Sequence, residues 1–212
     1  KYLILYRPNG RVDRYLKNPD GSFSAPPLVN DVIVRQGAGF NMTSLHQDVY
    51  IFNSDGQLES ISDRNNNTSV LTYQSGKLII VTDAVGRSLT FEYNPEGKID
   101  KIIDPASREF IYDYDSEGNL TSVEDPRGNT MEYIYFTGDH LLKTVTNREG
   151  DDFNYTYLYN RRLNQLIDPN GETTTMDYLW DVTVITKPDF KSFTYSFDEA
   201  NDRLLSDTNP DQ

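Results

Sequence analysis

The chain has 212 residues, of which 36% are hydrophobic and 25% charged, a composition that suits one or two ordered domains. Its formal net charge of −13 argues against binding to nucleic acid or to anionic lipid, because both need a basic surface. The sequence contains no cysteine, which excludes disulfides, thiolate catalysis and cysteine metal sites. It has no apolar stretch approaching about 18 residues, so we expect no membrane insertion.

Residues 1–48 are the least regular part of the sequence. They carry the turn motifs Arg-Pro-Asn-Gly at 7–10 and Asn-Pro-Asp-Gly at 18–21, and a linker-like Ala-Pro-Pro at 25–27. Because end repeats are usually atypical, we predict an irregular β lead-in or cap here. The missing start Met and signal peptide favour a fragment of a longer protein, with its targeting signal elsewhere.

Residues 49–212 repeat one pattern, with a period of about 21 residues and about seven units. Tyr93, Tyr114 and Tyr135 follow one another at intervals of 21 residues, and the aspartates at 83, 104 and 125 keep the same spacing. Glycines and leucines stay in register with both series. Four residue types in one register predict tandem structural repeats rather than chance similarity.

One unit has the pattern strand, turn, strand, turn. Large side chains alternate with others at 89–93 (Leu-Thr-Phe-Glu-Tyr), which is typical of a strand with one buried face. The following turns, such as Asp-Ser-Glu-Gly at 115–118, suit a type I turn. In the second strand the apolar residues Leu120 and Val123 are three apart, which predicts a β-bulge or a strong twist. The fold class is therefore all-β, with tandem antiparallel β-hairpins whose neighbours supply the core.

The turn residues have a structural interpretation. An aspartate at the first turn position accepts a hydrogen bond from the backbone two residues on, and a glycine at the fourth position suits the same turn. An aspartate ladder that faces a ligand is the less favoured alternative. We assign structural turn roles to Asp83, Gly97, Asp104, Gly118, Asp125, Gly128, Asp168 and Gly171.

The repeat weakens towards the end of the chain. The unit around Trp180 has no turn glycine, and Lys-Pro at 187–188 replaces Asp-Pro. Trp180, the one tryptophan, is the candidate contact for a sugar or a partner chain. Residues 197–205 look helical in isolation, but the register predicts the end of a strand and then a turn at 198–201.

Other candidate chemistry is weaker. The acidic residues of 113–124 match the spacing of a calcium loop, but strands flank them where helices should. His46 and His140 are the only histidines and do not suggest one shared site. Paired carboxylates for glycoside hydrolysis carry little weight among 33 acidic residues. We predict no catalytic residue, no cofactor and no metal.

Residues 112–128 (Tyr-Asp-Tyr-Asp-Ser-Glu-Gly-Asn-Leu-Thr-Ser-Val-Glu-Asp-Pro-Arg-Gly) resemble the Rhs or YD repeat, as do 83–91 and 62–68. The resemblance covers about residues 50–212. Members of this family are large secreted or surface proteins, which include bacterial polymorphic toxins, toxin-complex subunits and teneurins. The resemblance implies a curved, spiralling β-sheet that forms part of a shell wall.

The resemblance also implies a function. We expect a structural wall segment of a secreted or surface bacterial protein that encloses or displays a C-terminal toxin domain. Its partners would be that payload domain and neighbouring repeats of the same protein. The alternative is an adhesin-like module that binds glycans or cell-surface proteins, and an enzyme is disfavoured. Nucleic acid is not an expected partner.

Overall fold

The computed structural model describes residues 1–179, 182–189, 191–198 and 203–208, and Trp180 lies outside them. The described residues form 21 strands and no helix, so the predicted all-β class with tandem antiparallel hairpins is confirmed. Within that part of the chain, no helix is long and apolar enough to cross a membrane. The chain divides into two compact units, residues 1–108 and 109–212.

The first unit contains two antiparallel sheets. Three strands of the lead-in form a small sheet in the order β1-β2-β3, and the strands that follow pair with their neighbours in chain order. The strands are β1 (Tyr2–Tyr6), β2 (Val12–Lys17), β3 (Phe23–Ser24), β4 (Val32–Gln36), β5 (Gly39–Thr43), β6 (Val49–Phe52), β7 (Leu58–Ser62), β8 (Thr68–Gln74), β9 (Lys77–Thr82), β10 (Ser88–Tyr93) and β11 (Ile99–Ile103).

The second unit is a continuous ladder of antiparallel hairpins, again paired in chain order. Its strands are β12 (Glu109–Tyr114), β13 (Leu120–Glu124), β14 (Thr130–Tyr135), β15 (Leu142–Thr146), β16 (Asp152–Tyr157), β17 (Leu163–Ile167), β18 (Thr173–Leu179), β19 (Val182–Thr186), β20 (Ser192–Asp198) and β21 (Arg203–Thr208). The helical alternative for 197–205 is wrong, because Phe197 and Asp198 end one strand and Arg203 begins the next. Residues 199–202, where we expected most of the turn, lie outside the described residues.

The predicted irregularity of the second strand is a β-bulge. Asp113 faces Ser122, whereas Tyr114 faces Leu120, so Thr121 is an extra residue in its strand. A spacing of three therefore places Leu120 and Val123 on one face, and the prediction is confirmed. The same register shift occurs opposite the last residue of β6, β10, β14 and β16.

Most of the hairpin turns share one backbone geometry. In the turn after β10, the N–H of Gly97 donates to the C=O of Asn94 at 2.9 Å, and the N–H of Asn94 donates to the C=O of Lys98 at 2.9 Å. This is the bonding pattern of a three-residue hairpin loop, in which a type I turn is followed by a residue with positive φ. Gly97 is that residue, with φ +86°.

The most deeply buried core lies within the lead-in. Tyr15, Ile33 and Met42 are almost fully buried, with 0%, 3% and 4% of their surface exposed. Leu3 and Leu5 of β1 pack against them from the small sheet. The core therefore sits between the small sheet and β4 and β5, while most apolar side chains of the later hairpins are only half-buried.

Candidate functional site: the turns and the contacts between hairpins

Several turns are held by hydrogen bonds to the side chain at their first position, as the turn at Asp83 illustrates. The Oδ1 atom of Asp83 accepts hydrogen bonds from the backbone N–H groups of Val85 at 3.0 Å and Arg87 at 2.9 Å. The Nε atom of Arg87 donates to Oδ2 at 2.7 Å. One carboxylate therefore satisfies two turn N–H groups and fixes the side chain that starts the next strand.

The same pair of backbone bonds recurs along the chain. Asparagine replaces aspartate at some turns without loss of these bonds, because its Oδ1 atom accepts in the same way. The two bonds are found at Asn53, Asp63, Asp83, Asp104, Asp115, Asp125, Asn147 and Asp168.

These bonds lower the pKa of the turn aspartates. The side chain of Arg108, and then its backbone N–H, donate to Asp104 and hold the pKa of that carboxyl below its ordinary value of 3.8, against a smaller opposing effect of burial. Hydrogen bonds from the residue four positions on lower the pKa in the same direction at Asp63, Asp83, Asp115 and Asp125. In these five aspartates the hydrogen bonds thus favour the charged form of the carboxyl.

The four glycines that we singled out occupy the fourth turn position. Their φ angles are +86° at Gly97, +85° at Gly118, +81° at Gly128 and +82° at Gly171. Other turns place a different residue there with positive φ, such as Ser107 at +59°. Left-handed backbone is thus a requirement of the turn, and glycine meets it at the lowest cost.

A tyrosine joins each of several hairpins to the hairpin before it. The hydroxyl of Tyr93 donates to the C=O of Leu78 at 2.7 Å, and Nζ of Lys77 lies 4.9 Å from the centre of the same ring. Tyr73 and Tyr178 make the same hydrogen bond, to Leu58 at 2.9 Å and to Leu163 at 2.8 Å. The accepting carbonyl belongs to the residue at the β-bulge, so the tyrosine satisfies it where the ladder is interrupted.

The sequence analysis used these tyrosines only for the period of the repeat and did not predict the hydrogen bond. The usable signal was the fixed separation of 15 residues between the leucine and the tyrosine. Burial raises the pKa of Tyr73, as it does for Tyr135 and Tyr157.

Neighbouring turns of the second unit also touch. Nδ1 of His140 lies 2.6 Å from Oδ1 of Asn119, a residue 21 positions earlier. Nη1 of Arg148 lies 3.3 Å from Oδ2 of Asp125. His140 thus serves a turn-to-turn contact, while His46 lies in the turn of the first unit that Ser44 begins.

The residues of the calcium-like spacing take part in the hairpin. Oδ2 of Asp113 accepts from the hydroxyl of Ser122 at 2.7 Å, and Oδ1 of Asp115 accepts from the backbone N–H groups of Glu117 and Asn119. Among the described residues, no group of three or more acidic, histidine or cysteine side chains could hold a metal ion. The absence of a calcium site stays a prediction.

The lead-in contains a buried charge cluster that was not predicted from the sequence. Nε of Arg7 donates to Oδ2 of Asp13 at 2.7 Å, and its Nη2 donates to the hydroxyl of Tyr15 at 3.2 Å and to the carboxylate of Asp31. Nη2 of Arg11 also donates to Asp13, at 2.9 Å. The arginine fork therefore ties β2 to the segment that enters β4.

Asp13 is a deeply buried charged residue of this cluster, with 4% of its surface exposed. Burial alone would raise the pKa of Asp13, but hydrogen bonds from Arg7 and Arg11 outweigh it and lower that pKa. Burial likewise opposes the charge of Arg7, yet the bonds to Asp13 and Asp31 raise its pKa. The cluster is thus a mutually satisfied ionic group.

One comparison identifies the family. The model of the Teneurin YD-shell family matches residues 40–206, which is most of the chain. This chain belongs to the YD-shell family. The resemblance of its repeats to Rhs and YD repeats is therefore confirmed. No match was found among curated proteins.

One solved structure shares the fold of this chain at low identity, and others match less well. The structure titled TcdB2-TccC3-TEV matches with a TM-score of 0.57 and 13% identity, and covers 99% of this chain and 14% of that chain. TcdB2-TccC3-Cdc42 matches with a TM-score of 0.39 and 14% identity, and covers 100% of this chain and 15% of that chain. A Photorhabdus luminescens Tc holotoxin pore has a TM-score of 0.39 at 11% identity, with 99% of this chain and 14% of that chain covered. This YD-shell chain thus spans about one seventh of the first structure's length.

Proposed function

We propose that the chain is a structural wall segment of a large secreted or surface protein, and that the wall encloses or displays another domain. The observation that carries this proposal is the contact between hairpins. Tyr73, Tyr93 and Tyr178 each bond to the carbonyl of the preceding hairpin, which makes a wall rather than a series of separate hairpins. Membership of the YD-shell family supports the same role.

The proposed partners are neighbouring repeats and a C-terminal payload, which we suggest is a toxin domain. The turn residues Asp83, Gly97, Asp104, Gly118, Asp125, Gly128, Asp168 and Gly171 would act only by shaping the wall. Secretion or display at the bacterial cell surface follows from the family resemblance, and we propose no catalytic activity and no cofactor.

Limited proteolysis of the full-length gene product tests the enclosing role. We expect the payload to resist protease in the wild type and to be cut faster in a Tyr93→Phe, Tyr178→Phe double variant. Tyr159→Phe is the matched control, because that side chain is fully exposed. Equal cutting rates in the wild type and the double variant would count against enclosure by this wall.

The alternative function is an adhesin that contacts glycans or cell-surface proteins. The lone Trp180 in a unit without a turn glycine favours it, although this residue lies outside the described ones. Glycan-array binding that is lost in Trp180→Ala would support the adhesin. Turnover of any substrate that is lost with one acidic substitution would defeat both proposals.

A further inference from the structure

The second unit contains a cavity of about 270 Å³ that combines carboxylates with aromatic rings. Its lining includes Asp115, Glu117, Asn119, Tyr133, Tyr135 and Phe136. Carboxylates and aromatic rings are the groups that hold an organic cation in a protein, through ion pairing and through the cation–π interaction. The described lining contains no lysine or arginine that would neutralise the two carboxylates.

Two other hairpins show what the repeat places near the corresponding tyrosine. Nζ of Lys77 lies 4.9 Å from the centre of the Tyr93 ring, and Cζ of Arg162 lies 5.1 Å from the centre of the Tyr178 ring. In both pairs the cation precedes the aromatic residue by 16 residues. A positive charge near the ring is thus a recurring feature of these hairpins.

The hairpin of Tyr135 has a neutral amide at that register. Asn119 precedes Tyr135 by 16 residues and is buried, with 8% of its surface exposed. Its Nδ2 donates to Oδ2 of Asp115 at 2.9 Å, and its Oδ1 lies 2.6 Å from Nδ1 of His140. This hairpin therefore has the tyrosine but not the cation that the repeat supplies at the other two.

Two further departures from the repeat occur at the same place. Three other tyrosines bond to the carbonyl 15 residues earlier, but within the part of the chain that the structure describes the hydroxyl of Tyr135 makes no such bond to Leu120. The turn after β14 is also one residue longer than the turn after β10, because the N–H of Phe136 donates to the C=O of Leu141 at 2.8 Å. Local departures from a structural rule are where a functional site is expected.

We propose that this cavity binds an organic cation, namely an alkylammonium or guanidinium group such as that of a lysine or arginine side chain. The cation lies beside Tyr135 and pairs with Glu117, whose side chain is exposed, and with Asp115. The hydroxyl of Tyr135 accepts a hydrogen bond from it. The volume lies just below the range of about 300–1,000 Å³ for drug-sized ligands, so it suits one small group.

The test follows the backbone amide signals of Glu117, Gly118 and Thr137 by NMR at neutral pH while a probe is added. The probes are the peptide acetyl-Gly-Lys-Gly-amide, the same peptide with an acetylated lysine, and butylammonium. Acetylation removes the charge and keeps the alkyl chain. We expect saturable shifts with the lysine peptide and with butylammonium, and at least roughly ten-fold weaker binding of the acetylated peptide.

The two charged probes distinguish the sources of the cation. Tighter binding of the lysine peptide assigns the site to a side chain of a protein partner, because the peptide backbone then adds contacts. Binding of butylammonium that is equal or tighter assigns it to a free amine. Both results support the site.

Three variants locate the binding. Glu117→Gln should weaken binding by roughly three-fold or more, because it removes one carboxylate charge. Glu96→Gln is the matched control, since Glu96 holds the same turn position one unit earlier, where Lys98 stands in place of Asn119. Asn119→Lys supplies the cation of the repeat from within the chain, so it should abolish binding.

Circular dichroism checks that the variants fold, and Glu117→Gln decides the matter if Asn119→Lys does not. The proposal is overturned by no saturable shift with either cation, or by equal binding of the charged and acetylated peptides. Equal binding by Glu117→Gln and the wild type would also overturn it.

Discussion

At the scale of single residues, the turns depend on two local requirements. The first residue must offer a side-chain oxygen to the N–H groups two and four positions on, and the fourth must adopt positive φ. Both requirements involve residues within one turn, so they leave a direct trace in the sequence. The recurrent Asp and Gly are that trace.

Gly118→Val should destabilise the chain. Gly118 has φ +85°, which a β-branched residue adopts only with strain, so we expect a loss of about 1–2 kcal/mol in the free energy of unfolding. Gly97→Val should behave alike, because its φ is +86°. Urea midpoints measure the loss, and Glu117→Val is the control beside it in the same turn. Unchanged midpoints for both glycine variants would contradict this account of the turn.

At the scale of strands and hairpins, stability depends on contacts that join one element to the next. The bulge interrupts the ladder near Leu78, and the hydroxyl of Tyr93 on the next hairpin satisfies that carbonyl. An unsatisfied half-buried carbonyl costs free energy, so the hydroxyl and the bulge belong together. Each hairpin is thus completed by its neighbour.

Tyr93→Phe should lower the free energy of unfolding by about 1 kcal/mol, because it removes the donor and leaves the carbonyl of Leu78 without it. Tyr178→Phe should have a similar effect in the second unit through Leu163. The measurement is urea unfolding, with the fully exposed Tyr159→Phe as the control. An equal midpoint for Tyr93→Phe and Tyr159→Phe would show that the hydroxyl bond does not stabilise the wall.

Arg7→Met should loosen the lead-in. It leaves the buried carboxylate of Asp13 without its main partner, and we expect a loss of about 2–3 kcal/mol, somewhat below the range for fully buried pairs. The Arg7 side chain keeps 16% of its surface exposed, which moderates the loss. Hydrogen exchange of the amides of β1 and β2 measures this opening.

Arg11→Met is the comparison for that variant. Its side chain also bonds to Asp13 but is 54% exposed, so we expect a smaller effect. If both variants speed exchange equally, the arginine fork of Arg7 has no special role in the cluster.

At the scale of the whole molecule, the turn aspartates determine the response to acid. The folded-state pKa values of Asp63, Asp104 and Asp125 lie below the ordinary value of 3.8, so the unfolded chain binds protons first as pH falls. Their contribution to stability is therefore complete above about pH 5 and is lost as pH falls through the lowered values. Many equivalent turns lose it in the same pH range.

Because the carboxylates lose their charge only in acid, we expect the urea midpoint to stay constant from neutral pH to about pH 5. It should fall steeply below about pH 4. The double variant Asp83→Asn, Asp104→Asn should show a shallower fall, because asparagine keeps the accepting Oδ1 but does not titrate. A midpoint that does not change between pH 7 and pH 2 would contradict the role of the carboxylates.

Whether a feature could be predicted from the sequence depends on how many residues separate the groups that interact. The strands, the turns and the bulge at Thr121 could be predicted, because alternation and turn chemistry act within a few residues. The contact surface around Trp180 stays a prediction, as does the boundary of the lead-in at residue 48. The hydrogen bonds of the tyrosine hydroxyls were not predicted, because the partner of each hydroxyl lies 15 residues away.

The sequence by itself determined the all-β class, the hairpin period and the chemistry of each turn. Only the tertiary structure decided how the lead-in docks and which residues bond to Arg7. The physical reason is sequence separation. Arg7 meets Asp31 and Met42, which are 24 and 35 residues away, and such single contacts leave no period in the chain. A turn recurs and can be recognised, whereas a contact that occurs once must be seen in three dimensions.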